Sequence, residues 1–382
     1  MIPSHAPRLE IDLGAIRHNL GLIRSLIPAR TQILIPVKAD AYGHGSPVVG
    51  AFALANGADR LGVARPAEAV TLRESGIQGV IHVLEAFHPQ DSDTYFDFDL
   101  RPTIAALDAA QALSSESLRR GQKLSAHLKV DTGMSRIGFH WERQRAEILA
   151  ALSLPGIRWE GIFTHFARAD EPVPHTIEQD RRFQEILDLL AVRNTRPPIA
   201  HAANSAGTLL HPEAHLDMVR PGLACYGYHP AHALLPALDL RPALRLVAAV
   251  RHLQWIEAGE EVSYGGLWTA PRRSLIATIP IGYGDGFSRL QKNAVFSIRG
   301  HLAPQVGRVC MDLCMADVTD VAEITLGDAV TVIDAATHPT LSVDAVAART
   351  GTISYELICA LGRRLPRLYR DGTCEFPEIT RP

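Results

Sequence analysis

Lys38 closes an aliphatic run, Ile33-Leu34-Ile35-Pro36-Val37, and opens a loop that carries Gly43 and Gly45. An unpaired ammonium is costly to desolvate. A lysine at the end of a buried stretch therefore points into a polar cleft, or loses its charge by forming an imine with a carbonyl cofactor. Pro36 stiffens the entry, Tyr42 adds a hydroxyl four residues on, and the glycines let the backbone turn tightly or approach a ligand. Further polar residues stand at the ends of other aliphatic runs: Lys129 and Arg136, His165, Asn204 with Ser205, and Arg220. Each has an innocuous reading on its own, His165 as a hydrogen-bonded core histidine and Asn204 as a helix cap. Their convergence on strand ends is the informative pattern.

The elements that must position these groups are legible as alternation. From about residue 12 to 225, short aliphatic runs alternate with amphipathic, alanine-rich segments, the signature of a parallel sheet with helices outside. Strands are expected at Ile33 to Val37, Arg60 to Ala64, Val80 to Leu84, Pro102 to Ala105, Ser125 to Val130, Trp159 to Thr164, Ile199 to Ala203 and His215 to Arg220. Asp12 can cap a first helix, Pro66 suits the first turn of another, and Gly76 and Gly121 fall where helices should stop. Eight such strands favour an α/β fold of the (β/α)8 TIM-barrel type, in which functional side chains gather at the C-terminal strand ends. From about Leu244 the texture changes to short β runs punctuated by glycine and proline, with late helices over Ser342 to Thr350 and Thr352 to Leu361. The expected organisation is a barrel over 1–240 that carries Lys38, followed by a mostly β domain over 241–382.

Composition narrows the function classes. The chain has 382 residues, 47% hydrophobic and 21% charged, and a formal net charge of −3. No broad field recommends nucleic acid or a membrane surface as partner, and Arg119-Arg120, Arg181-Arg182 and Arg363-Arg364 read as solvated helix faces. The five cysteines are scattered; Cys310 and Cys314 lack the second pair or histidines that would complete a zinc site, so no metal is expected and the thiols are read as reduced and cytoplasmic. No apolar leader or membrane-length run is present.

The run Val37-Lys38-Ala39-Asp40-Ala41-Tyr42-Gly43-His44-Gly45 closely resembles the cofactor-lysine segment of the alanine racemases. The blocks Leu128 to Gly138, Thr164 to Ala167, His201 to Gly207, Arg220 to Gly227, Val262 to Gly266, Ile281 to Gly286, Gly307 to Asp312 and Ile353 to Glu356 resemble that family in its order. The resemblance implies a pyridoxal 5'-phosphate enzyme with L- and D-alanine as substrates, supplying D-alanine for peptidoglycan or handling it in catabolism. It implies a homodimer whose sites are shared between subunits. Lys38 would form the imine and serve the proton of D-alanine, with Tyr264 as the opposing base for L-alanine. A free phenol, with a pKa of about 10, needs cationic or hydrogen-bonding neighbours for that task. Tyr42, Ser205, Gly222, Leu223 and Tyr355 would hold the phosphate, with Asn204 and His165 beside them. Arg136 and the backbone of Met311 would bind the substrate carboxylate, a carbamylated Lys129 would orient Arg136, and Tyr283, His165, His201 and Asp312 would complete the surroundings or entrance. Arg220 would face the pyridine nitrogen and leave it unprotonated. That makes the ring a weaker electron sink and suits racemisation.

Small departures from common family wording are Cys310, Ala202 and Asp40. A decarboxylase of the same fold type is the nearest rival, but it should carry a carboxylate near the ring nitrogen and a catalytic cysteine in the second domain. A non-catalytic pyridoxal-phosphate carrier should resemble the barrel alone.

Overall fold

The computed structural model describes residues 6–172, 174–230, 238–372 and 374–376. The chain divides into two compact units. The first comprises Ile16–Ala41 and Ser46–Arg241, and its eight principal strands run parallel in the order Met218–Val219, Gln32–Pro36, Arg60–Val63, Val80–Ala86, Arg101–Ile104, Leu124–Asp131, Ile157–Phe163 and Ile199–His201. The two ends of that series meet: Asp217 N donates to Ala200 O at 3.0 Å and Arg220 N to Ala203 O at 2.8 Å, which closes the barrel. Strands covered on both faces must be apolar throughout, and Ile33, Leu34, Ile35 and Val37 are fully buried. The eighth strand is shorter than expected, Met218–Val219 instead of His215 to Arg220, because Leu216 turns left-handed at φ 50°.

The helices start and stop where their chemistry directs. Asp12 Oδ1 accepts from Ala15 N at 3.0 Å and opens Leu13–Leu26, Pro66 opens Pro66–Glu74, and Gly121 ends Leu107–Arg120 in a left-handed cap.

The second unit comprises residues through Ala15, then Tyr42–Gly45 and Pro242–Pro382, around a ten-stranded sheet. Its first strand, Arg8–Asp12, was not expected. It pairs antiparallel with Leu244–Ala249 and parallel with Arg367–Asp371, so the N-terminal segment leaves the 1–240 span in which the sequence alone would group it. The cause is burial of Leu9 and Ile11 against a sheet formed some 235 residues later. The strands expected near Arg245, Arg273, Ala294 and Asp328 form as Leu244–Ala249, Ser274–Ile279, Val295–Ile298 and Ala329–Ile333, and the two late helices as Val343–Arg349 and Ser354–Ala360. No helix among the described residues is long and apolar enough to cross a membrane.

Candidate active site

Lys38 is half-buried at the C-terminal end of Gln32–Pro36, and the backbone after it is strained. Ala39, Asp40, Ala41 and Tyr42 all hold φ between 50° and 56°, at roughly 1–2 kcal/mol per L-residue. Such strain persists only where neighbours enforce it. Glu68 accepts from Ala39 N at 2.7 Å while also binding the backbone of Ala64 and Arg65, Asp40 Oδ1 accepts from Ser46 N at 2.8 Å, and Ala41 N donates to Val37 O. Farther along, a side chain on Gly43 would collide with the carbonyl of Ile358, and one on Gly45 with the Tyr369 hydroxyl.

Around the same barrel mouth the cations are buried together. Arg220 is only 4% exposed, and four acceptors hold its two terminal nitrogens: His201 Nδ1 at 2.6 Å, Ala202 O at 2.8 Å, Thr164 O at 2.9 Å and His165 Nδ1 at 3.2 Å. None of these bonds uses Nε. Burial lowers the Arg220 pKa to about 9, which leaves it charged at neutral pH. Burial, with Arg220 next, drives both His165 and His201 well below the ordinary imidazole value, so both are neutral acceptors. Lys129 lies 4.4 Å above the Phe163 ring, and burial together with Arg220 and Arg136 pushes its pKa well down. Arg136 is exposed on a loop shaped by Asp131, whose Oδ1 accepts from the amides of Gly133, Met134 and Ser135. A narrow cleft is lined by Lys129, Asp131, Arg136 and His165.

Two adjoining loops supply backbone donors. Asn204 Oδ1 accepts from Gly207 N at 2.9 Å, so its carboxamide caps Ser205–Leu210. Ser205 Oγ accepts from Ala224 N at 3.2 Å and ties that cap to the Gly222–Cys225 turn carrying Leu223.

The β unit contains an open cleft of about 590 Å³ lined by Tyr264, Cys310, Met311 and Asp312. Tyr264 is 71% exposed and Met311 53%. The loops are fixed through backbone: Ser263 Oγ donates to Arg308 O at 2.8 Å, Tyr283 N to Cys310 O at 3.1 Å and Gly284 N to Met311 O at 2.8 Å. Tyr42 and Tyr355, within this unit, have ring centroids 6.1 Å apart.

Two sequence readings need revision. Arg364 is not on a helix face; its guanidinium pairs with Asp285 at 3.2 Å and Asp312 at 2.7 Å and braces the cleft. His127, passed over because it lies inside an aliphatic strand, donates or accepts at 2.8 Å with His201 behind Arg220. A histidine amid fully buried apolar residues was the available signal.

Relatives match along nearly the whole chain. The model of the alanine racemase N-terminal domain matches residues 11–230, and that of the C-terminal domain residues 243–369. The chain belongs to the alanine racemase family. It is 40% identical to an alanine racemase of Methanococcus maripaludis, across 96% of this chain and 99% of that one. It is 41% identical to another from Desulforamulus reducens, across 94% and 98%. The solved alanine racemase of Clostridium difficile 630 superposes with a TM-score of 0.93 at 35% identity, covering 97% of each chain. With this membership the chain is an amino-acid racemase on a TIM-type barrel with a mostly β second domain.

Proposed function

We propose that the interconversion of L- and D-alanine by this chain runs on pyridoxal 5'-phosphate held at the barrel mouth, with protons moved by Lys38 and Tyr264. The observation that carries this reading is the setting of Arg220: a charged, fully anchored guanidinium whose terminal nitrogens are engaged while Nε is not among the donors used. A donor-only group of that kind fits a pyridine nitrogen that must stay unprotonated. The Ser205–Leu210 and Gly222–Cys225 segments, tied by Ser205, offer backbone N–H groups for a phosphate, and Tyr42 and Tyr355 add hydroxyls. Asn204 contributes by capping. Bound there, the cofactor supplies an electron sink for the negative charge left when the alanine Cα loses its proton.

Lys38 anchors the cofactor and moves the Cα proton on one face, and the Tyr264 phenol moves it on the other. Arg136 and the Met311 N–H orient the substrate carboxylate. Burial and two arginines push the Lys129 pKa well down, which favours the neutral amine that adds to carbon dioxide, releasing a proton and leaving a carbamate that pairs with Arg136. His165, His201, Tyr283 and Asp312 shape the surroundings. The exposure of Tyr264 and Met311 at an open cleft supports a homodimer in which each copy lends these groups to the other. A chiral assay on cofactor-loaded protein should convert either enantiomer of alanine to an equal mixture, and borohydride reduction should leave the cofactor on the peptide containing Lys38. No interconversion, or label on a different lysine, would overturn the reading.

A further inference from the structure

Behind Arg220 the barrel interior contains a polar chain that the reaction chemistry above does not use. Arg220 Nη1 lies 2.6 Å from His201 Nδ1, His201 Nε2 lies 2.8 Å from His127 Nδ1, and His127 Nε2 lies 3.6 Å from Glu160 Oε2. His127 and His201 are fully buried, whereas the Glu160 side chain keeps 19% of its surface. The sequence makes room for this chain: a side chain at Gly161 would collide with the His127 ring.

We propose that Glu160 and His127 are positioning residues for the racemase reaction: they lock His201 in the tautomer whose Nδ1 accepts from Arg220, and so fix the guanidinium that the proposed function places at the cofactor ring. This rests on that reading of Arg220. Arginine can only donate and a carboxylate can only accept. A neutral imidazole carries one donor and one acceptor. Arg220 must donate to His201 Nδ1, so His201 Nε2–H donates to His127 Nδ1, and His127 carries its proton on Nε2. That N–H then faces the Glu160 carboxylate at 3.6 Å, an electrostatic contact beyond hydrogen-bond reach, where the opposite tautomer would set a lone pair against the anion.

Each condition has support in the neighbourhood. Burial lowers His127 to about 4 against the upward pull of Glu160, and His201 also lies well below its ordinary value, so neither is an imidazolium at neutral pH. Burial raises the Glu160 carboxyl, but His127, at ion-pair and not hydrogen-bond distance, and the guanidiniums of Arg60 and Arg101 bring it down to about 2, which keeps it an anion facing His127 Nε2. Arg60 lies 3.0 Å and Arg101 3.2 Å from its oxygens. His82 stands edge-on to His127 at 3.9 Å, is neutral through burial, and has no hydrogen-bond partner on either nitrogen among the described residues. His82, His127 and Glu160 bring ligand atoms within 4.8 Å of one another. Two guanidiniums already on Glu160 make a divalent cation a poor occupant.

The test is nitrogen-15 NMR of histidine-labelled protein, in the loaded enzyme and with the cofactor removed. His127 and His201 should both show a pyridine-type Nδ1 and a protonated Nε2, unchanged between pH 6 and 9 as expected for buried neutral imidazoles. Dominant Nδ1–H on either ring, or an imidazolium, would overturn the proposal. In Glu160→Gln, whose amide can donate, the minor tautomer should appear on both rings, and kcat should fall roughly 10- to 100-fold with KM for alanine little changed, by analogy with loss of a group that orients a metal-bound histidine. A Glu160→Gln protein with wild-type tautomers and wild-type kcat would also overturn it. If that variant does not fold, the wild-type spectra decide. The cofactor-free spectra depend on this chain alone, so the predicted tautomers in a protein that fails to take up the cofactor would count against the proposed function and not against the relay.

Discussion

The barrel mouth and the cleft of the β unit present their candidate groups in opposite ways. Arg220, Lys129 and His165 are packed among one another, with Arg220 held by two histidines and two backbone carbonyls, in surroundings that shift their protonation, with burial as the leading cause. Tyr264 and Met311 stand exposed on loops fixed by backbone bonds. The first region shifts protonation through its own burial, whereas, on the proposed reading, the second offers exposed groups to a surface that must cover them. An exposed phenol acquires a low-dielectric environment only when another surface covers it.

The comparison breaks most directly at Lys38. Lys38→Ala should lower racemisation by on the order of 10⁴-fold or more, as loss of a covalent catalytic group does, and should remove the borohydride-trapped bond. Activity near wild type would remove the barrel mouth from the chemistry.

Tyr264→Phe comes next, with a loss of inversion of about 10²- to 10⁴-fold in both directions, the scale of a positioned proton donor. The ratio of the two directions is fixed by an equilibrium constant of unity. In deuterated water this variant should still exchange the α-proton of D-alanine through Lys38 while L-alanine keeps its own; equal exchange from both enantiomers would sink the two-base mechanism. Mixing the inactive Lys38→Ala and Tyr264→Phe proteins should restore activity, because one site of each heterodimer has both groups intact. No recovery after verified subunit exchange would place Tyr264 in its own chain's site.

A smaller effect separates how the regions are built. Gly161→Ala should lose about 1–3 kcal/mol of stability in denaturant unfolding, the usual cost of overpacking a core, since the new methyl meets the His127 ring and Ile199 O. Gly265→Ala on the exposed loop finds only Arg308 side-chain atoms at 3.7 Å or more, and should lose about 1–2 kcal/mol from its left-handed backbone. The reverse order would mean the barrel core is looser than its contacts suggest. The smallest change is Lys129→Gln, expected to raise KM for alanine roughly fivefold, about 1 kcal/mol for one lost partner of Arg136, with a carbamate carbon signal present in wild type and absent in the variant. An unaltered KM would dissociate Lys129 from carboxylate binding.

Much of the barrel could be read from pattern. Arg60–Val63, Val80–Ala86, Arg101–Ile104 and Leu124–Asp131 lie within two residues or fewer of their expected bounds, since continuous aliphatic runs between helical segments leave little alternative in a parallel sheet. Arg8–Asp12 was missed because a five-residue strand declares itself only through its partners, and both partners lie more than 230 residues away. Arg364 was misread for a related reason. An arginine pair next to a helix reads as part of its face, whereas Arg364 stays exposed but lies beyond the helix, where the fold brings Asp285 and Asp312 to it.

Block wording and hydrophobic period are local properties of the chain, and they suffice for the family, the alternating βα order and the lysine just past the first barrel strand. Only the tertiary structure decided which protons those residues carry. The neutrality of His165, the lowered pKa of Lys129, the charge Arg220 keeps despite its burial and the left-handed turn after Lys38 all depend on burial or on neighbours from other elements. Desolvation and Coulomb interaction act across space, and no spacing along the chain encodes them.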